Sequence, residues 1–479
     1  MFKNKLNLSI IIISFFLSTL FSFYNLKNFD KNIILEKKEY HQMIKSDPHR
    51  YLSNGYDITK QLREGTPFLK TGPENYTKYL PARIAAIYYY IFNYKLFEDE
   101  EEKIIKVNIH NFYLYIQCFF YFLSVFFFSY FLSKKITNNL VVSSVVLFLC
   151  IEPTIFQYHG SFWSESYFFS FQLLLLAFML KSESLLNLCF VGIFLGILAL
   201  QKQLAFFYVI PIIFYYLYYL NNHKIRKIFS VLLSFFLVLS ILGFNNLGRT
   251  GKFYILSADT KLDLHLDLVE KVMMKKNKIS REQFRIKEGE AMREWIDNNR
   301  IEIKLPGEKL NNKFTYWEYR NFIIKEKDKD LFDKAISKRT IYYFKKYPIN
   351  FLQFISKSAV HTVLLNPFHI YSDNKYESGE IYYATKEHND LVNLRIIYTF
   401  IIYFFCLIGL LNLYKSKNYK LMSLYLISII YFYSLVSWHG NTRYFMPNLI
   451  YLSLFFGFGV PTIKSFIMRR IKFKKKFIF

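Results

Sequence analysis

Charged side chains that interrupt apolar stretches are the first to weigh for chemistry, because a charge beside or inside lipid is costly and usually functional. The earliest is Asp47, in Ser46-Asp47-Pro48-His49-Arg50-Tyr51, downstream of an apolar run near the N-terminus. A carboxylate held there could take a proton from an acceptor as a general base; a solvated or helix-capping Asp would carry the same signature. Next comes Tyr76-Thr77-Lys78-Tyr79-Leu80-Pro81-Ala82-Arg83, an aromatic and basic cluster opening a short apolar stretch, Ile84 to Phe97. It reads as a phosphate clamp beside a bilayer or as an interfacial belt with snorkelling cations. Glu165, in Ser161-Phe162-Trp163-Ser164-Glu165-Ser166, stands almost alone in a hydrophobic hairpin, either as a helix N-terminal acid or as a catalytic or substrate-binding group. Lys202 lies between Gln201 and Gln203 at the end of another apolar run. In Trp438-His439-Gly440-Asn441-Thr442-Arg443-Tyr444-Phe445-Met446-Pro447, Arg443 could hold a phosphate bidentately or anchor at the interface.

The elements that must position these residues are membrane helices. Of 479 residues, 53% are hydrophobic and 20% aromatic, with 54 Phe and 40 Tyr against 16 Gly and 11 Pro. A soluble core cannot hide that many large apolar side chains, whereas lipid solvates them. Apolar runs fall at Leu8 to Leu26 and near 112–132, 140–158, 162–180, 185–201, 204–220, 228–247, 394–414, 421–438 and 447–464. The expected fold class is therefore an all-α polytopic membrane protein of about ten transmembrane helices with α-rich extracytoplasmic loops. Lys3 and Lys5 precede the first run and no small-residue cleavage site follows it, so an uncleaved anchor with its N-terminus inside is expected. Lys134-Lys135, His223 to Lys227, Lys415 to Lys420 and the basic tail from Arg469 to Lys476 then all lie inside, as the positive-inside rule requires.

Three regions follow: a transmembrane core, 1–247, with a first extracytoplasmic loop at 27–111; a large extracytoplasmic loop, 248–393; and C-terminal membrane helices with a basic cytoplasmic tail, 394–479. Segment 349–366 is apolar enough to enter lipid but would invert the later helices if it crossed, so it is expected to lie on or dip into the outer face. The net charge of +26 is spread among membrane segments, which disfavours nucleic acid as a partner and fits basic inner loops or an anionic lipid-linked substrate. Cys118, Cys150, Cys189 and Cys406 all sit inside apolar runs, so neither a disulfide framework nor a metal site is visible. No cofactor is expected, a divalent ion being left open.

The order of these features resembles the GT-C superfamily of integral-membrane glycosyltransferases, in particular the bacterial branch related to protein O-mannosyltransferases and the lipid A aminoarabinose transferase. The matching parts are Asp47 and Tyr51 after the first span, Tyr76, Tyr79 and Pro81, the Ser-Glu-Ser around Glu165, and Gly192-x-x-x-Gly196 leading through Leu200 to Lys202. Asn246-x-x-Arg249-Thr250-Gly251-Lys252-Phe253 and Arg443-Tyr444 with Pro447 complete the series. The resemblance implies Asp47 as base and Glu165 as its helper. It implies Lys78, Lys202 and Arg443, with Arg83 of the same basic cluster, as contacts to the donor phosphate, and Tyr51, Tyr79 and Tyr444 as substrate contacts. Two departures, Pro48 where the family often has a second acid and Ala82 where a second Pro is usual, bear on substrate detail.

Such an enzyme would move a sugar from a polyprenyl-phosphate donor to an extracytoplasmic glycan, lipid or protein acceptor, with inversion, at the outer face of the plasma (inner) membrane. A base near the acceptor and cations around the departing phosphate meet the two chemical needs of the reaction. The absence of a phosphate loop or soluble nucleotide-sugar domain fits a lipid-linked donor. The rival readings are a polymerase or ligase for polyprenyl-linked glycans and a non-enzymatic lipid-glycan transporter; the latter should place ionisable residues at mid-membrane rather than at one face.

Overall fold

A computed structural model describes residues 5–35, 47–72, 79–92, 107–255, 264–303, 315–365, 386–438 and 445–476. The described residues are 85% helical and contain no strands. The chain divides into two compact units, one comprising Met1–Leu256, Leu364–Leu435 and Thr442–Phe479, the other Ser257–Val363 and Val436–Asn441.

The first unit opens with α1 (Lys5–Leu35), α2 (Asp47–Arg63), α3 (Tyr79–Ile91), α4 (Val107–Lys135), α5 (Asn139–Ile151) and the short α6 (Pro153–Phe156). It continues with α7 (Glu165–Lys181), α8 (Leu185–Gln201), α9 (Val209–Tyr219) and α10 (Lys224–Thr250). The second unit holds a π-helical turn (His265–Val269), α11 (Glu270–Asn277), α12 (Arg281–Asn298), α13 (Tyr316–Phe322), α14 (Glu326–Lys346) and α15 (Pro348–Val363). The first unit is completed by α16 (Lys386–Lys415), α17 (Tyr419–Val436) and α18 (Pro447–Lys476).

Among the described residues, six helices are long and apolar enough to cross a membrane, within Lys5–Tyr24, Phe112–Lys135, Lys224–Thr250, Asn393–Lys415, Tyr419–Val436 and Pro447–Met468. On that ground the chain is a multi-pass α-helical membrane protein. The other four expected spans fall on shorter helices: α5, α7, α8, and α9 with the 3-10 turn that leads into it. At 1.5 Å per residue, a 13-residue helix reaches about 20 Å and a 17-residue helix about 26 Å, less than the ~30 Å of hydrocarbon. Their apolar character is spent on protein as much as on lipid: Leu173, Leu175 and Leu176 of α7 and Val191, Leu195 and Leu198 of α8 are fully buried.

Close backbone approach sets the α8–α10 pair. A Cβ on Gly192 would stand 2.2 Å from the Val231 carbonyl oxygen, and one on Gly196 would stand 2.7 Å from Val238 Cβ. Both contacts join residues a nearly constant distance apart in sequence, so the two helices run in the same direction. At one end of the bundle, Glu183 accepts from Lys420 Nζ at 2.7 Å and lies 3.6 Å from Lys227 Nζ. The α7–α8 loop and the first turns of α10 and α17 thus meet at that end.

The second unit is held by two apolar clusters, one around Met292, Ile296, Tyr316 and Phe332, the other around Val269, Val272, Phe284 and Tyr343. Between them, Glu288 accepts both guanidinium nitrogens of Arg339 at 2.6 and 2.7 Å and the Tyr343 hydroxyl, while His265 Nε2 stands 3.5 Å away. Segment 349–366 falls largely on α15, which buries Phe351, Ser358 and Thr362 and exposes Ile349, Leu352 and Val360, and residue 366 lies outside the described residues. It is an amphipathic helix and does not meet the length and composition of a span.

Candidate functional site

Glu165 is the first residue of α7, and Lys202 is the residue at which α8 ends. Lys202 leaves the helical region (φ −145°, ψ 124°) while its own N–H still bonds the Leu198 carbonyl. Its side chain is thereby turned across to the neighbouring helix. The ammonium donates to Glu165 Oε1 at 2.7 Å, with the carboxylate 1% and the lysine side chain 12% exposed. Nζ also lies 5.5 Å from the centre of the Phe168 ring, one turn along α7, which favours the cation. A second link runs alongside: Gln201 Nε2 donates to the Ser164 carbonyl at 3.1 Å. The start of α7 and the end of α8 are therefore joined by one ion pair and one amide hydrogen bond.

Ser164 carries the connection to the first loop. Its hydroxyl donates to the Tyr51 oxygen at 3.3 Å, and Tyr51 is buried. Asp47 opens α2 one turn before Tyr51 and therefore on the same face of that helix. The side chain of Asp47 lies outside the described residues, as do Lys78, Arg443 and Tyr444.

Tyr79 and Arg83 share this end of the molecule. Thr59 Oγ1 bonds the Ala86 carbonyl and Arg63 Nη2 the Tyr89 carbonyl, a nearly constant sequence offset that makes α2 and α3 parallel and sets the start of α3 beside the second turn of α2. Arg83 is buried and directs Nη1 and Nη2 to the hydroxyl and carbonyl of Thr71 at 2.6 and 2.8 Å. Its guanidinium stacks 4.4 Å from the centre of Phe68 and 5.1 Å from that of Tyr79. Asn245 of α10 bonds the same Thr71 carbonyl at 3.2 Å. As placed, Arg83 fastens the loop before α3 to α3 itself, and Asn245 ties the same loop to α10. Burial raises the Tyr79 phenol above its ordinary range, against the opposing pull of Arg83 and Arg249.

The structure thus brings Tyr51, Glu165 and Lys202 together and puts Tyr79 and Arg83 on the neighbouring elements. Four other polar residues at this level were not singled out from sequence. Ser164 and Gln201 supply the stitching. His159 bonds Ser166 Oγ through Nδ1 at 3.0 Å, and its ring lies 4.2 Å from that of Tyr121. Glu152 caps α6, accepting from Thr154 Oγ1 at 2.6 Å, from the Ile155 N–H at 2.8 Å and from the Tyr398 hydroxyl. The Glu-Pro pair that ends an apolar run was the available signal for Glu152. Among the described residues, no three His, Cys, Asp or Glu side chains gather as metal ligands would.

No family model matches the chain, and no curated protein matches its sequence. Fold and site define an all-helical, multi-pass membrane protein with a buried carboxylate–ammonium pair at one end of its bundle.

Proposed function

We propose that the protein is a membrane glycosyltransferase of the GT-C kind, moving a sugar from a polyprenyl-phosphate donor to an acceptor on the outer face. The observation that carries this reading is the convergence of three motifs far apart in sequence, Ser164 bonding Tyr51 at 3.3 Å and Lys202 bonding the adjacent Glu165 at 2.7 Å. In this reading Asp47 takes the proton of the acceptor hydroxyl or amine. The acceptor attacks the anomeric carbon, the bond from that carbon to the phosphate oxygen breaks, and the lipid phosphate leaves with the bonding pair. Lys202, held in place by Glu165, presents its charge to the leaving phosphate, with Lys78 and Arg443 as the further cations. Glu165 acts as the positioning partner of Lys202 and the helper of Asp47.

The test is transfer of labelled sugar from polyprenyl-phosphate hexoses and pentoses by purified protein, guided by lipid and glycan profiling of a deletion strain. Asp47→Asn should lose roughly a hundredfold to ten-thousandfold in turnover with little change in donor binding. Full turnover in Asp47→Asn beside a dead Glu165→Gln would move the base to Glu165. Absence of any accumulated lipid-phosphate sugar in the deletion strain, together with absence of transfer in vitro, would remove the transferase reading.

A further inference from the structure

Below the Glu165–Lys202 pair, the bundle contains three carboxamides that are almost fully buried: Gln172 of α7 at 0%, Gln201 of α8 at 1% and Asn448 of α18 at 0% exposure. Gln172 Nε2 donates to the Pro447 carbonyl at 3.3 Å and to the Tyr451 hydroxyl at 3.4 Å. Gln201 Nε2 donates to the Ser164 carbonyl. A backbone carbonyl can only accept, so these bonds fix which end of each amide is the NH2 group. What remains is Gln172 Oε1, Gln201 Oε1 and both side-chain polar atoms of Asn448, none of which has a hydrogen-bond partner among the described residues. Burying such a group without a partner costs about 1–3 kcal/mol, so three amides with unpartnered atoms in one apolar bundle call for a ligand.

Their placement relative to the ion pair is set by the helices and by aromatic rings. Gln172 follows Glu165 by two turns on the same face of α7, about 10 Å along the axis. Between them the Phe168 ring, already beside Lys202, packs edge-on against Phe432 at 6.2 Å. Phe432 in turn stacks on Tyr451 at 5.9 Å, and Tyr451 meets Gln172. Amide oxygens facing aromatic rings form a surface for a group that is rich in hydroxyls on its edges and apolar on its faces. A phosphate does not answer this need, because it brings acceptors where three of the four orphaned atoms are themselves acceptors.

We infer that Gln172, Gln201 and Asn448, with Phe168, Phe432 and Tyr451, bind the glycosyl group of the lipid-linked donor, the sugar hydroxyls donating to the amide oxygens while Lys202 takes the phosphate. This rests on the transferase reading for the identity of the ligand. The experiment compares binding of a bare polyprenyl phosphate with that of the same lipid carrying one hexose or one pentose, using full-length protein in detergent. At least one glycosylated lipid should bind more tightly than the bare lipid. Gln172→Met and Asn448→Leu should each reduce that advantage about tenfold while leaving bare-lipid binding unchanged. Asn448→Leu should not lower the thermal midpoint, since it replaces an orphaned amide by an apolar group of similar size. Gln172→Leu serves as a second replacement should Gln172→Met pack poorly. Retention of the full preference in both positions' variants, or an equal loss for bare and glycosylated lipid, overturns the inference while leaving the transferase reading intact. A preference that the variants abolish in a protein that transfers no sugar keeps the subsite and sinks the transferase. Binding of neither lipid by the wild type overturns both.

Discussion

A carboxylate and an ammonium buried against each other at two helix ends are worth little as a net contribution to stability but are costly to separate, since either alone is a buried charge. Lys202→Met should therefore destabilise the protein by about 3–5 kcal/mol, seen as a lower thermal midpoint in detergent. The double replacement Glu165→Gln with Lys202→Met should recover most of that loss and still transfer no sugar. A double variant that recovers both stability and turnover would reduce the pair to a structural clip. Glu288, in the second unit, is a useful contrast. Burial would raise its carboxyl, but His265, Arg339 and Tyr343 together hold it down to about 2 from an ordinary 4.5. A folded-state value below the unfolded one adds stability that is complete above the unfolded value and lost as the pH falls toward the folded one. Full-length protein titrated from roughly pH 5 to pH 2 should lose the second unit's tertiary structure across that interval, read from amide exchange in α12 and α14, and Glu288→Gln should flatten the dependence. An unchanged acid limb in Glu288→Gln would place the sensitivity elsewhere. At this scale the sequence displays residue types but not partners. Glu165 and Lys202 each stood out as lone charges beside apolar runs, yet nothing in a linear reading joins residues 37 positions apart on different helices. Gln172 gave even less signal, because a neutral amide within an apolar run does not break its hydropathy.

Helix pairing decides whether those side chains meet, and glycine lets α8 and α10 come into backbone contact. At an exposed helical site, Gly→Ala should gain up to about 1 kcal/mol from propensity alone. At Gly192 the added Cβ would lie 2.2 Å from the Val231 carbonyl oxygen, a backbone atom that cannot swing aside. Gly192→Ala should thus cost about 1–3 kcal/mol by forcing α8 away from α10. It should also slow transfer, because α8 carries Gln201 and Lys202 at its end. A thermal midpoint at or above that of the wild type would mean that the two helices are not in backbone contact. The Gly192-x-x-x-Gly196 spacing was visible in the sequence but pointed to no partner helix, whereas the long apolar runs made α1, α4, α10 and α16 to α18 readable. The short helices were harder. The run over 140–158 looks continuous in hydropathy, but the helix stops at Ile151, where Glu152 and Pro153 begin the cap of α6. The start of α3 at Tyr79, before the apolar stretch at Ile84, was hidden for a related reason: Tyr79 and Arg83 are polar in composition yet buried by packing on α2 and Thr71.

For the molecule as a whole, the two ends of α7 define the sidedness. Glu165 lies at the end where Tyr51 and Lys202 gather, and Glu183, just past Lys181, lies where Lys227 and Lys420 gather. The loops bearing Lys227 and Lys420 are among the short basic ones that the positive-inside rule assigns to the cytoplasm. Their meeting on one carboxylate is what a common side requires; in the proposed topology, where α7 crosses, the Glu165 end lies on the opposite side, the side on which the proposed reading presents the lipid-linked sugar. Reporter fusions after Lys135, Lys227 and Lys475 should accordingly report the cytoplasm, while fusions at Asp47 and Asn299 report the outside. The decisive pair is Lys181 and Lys202, the far ends of two consecutive short helices, α7 and α8. A cysteine at position 202 should be labelled only from outside and one at position 181 only from within. If both are reached from the same side, α8 does not cross. The count of about ten spans then falls, and labelling of both from within would keep the Glu165–Lys202 pair from facing an extracytoplasmic acceptor.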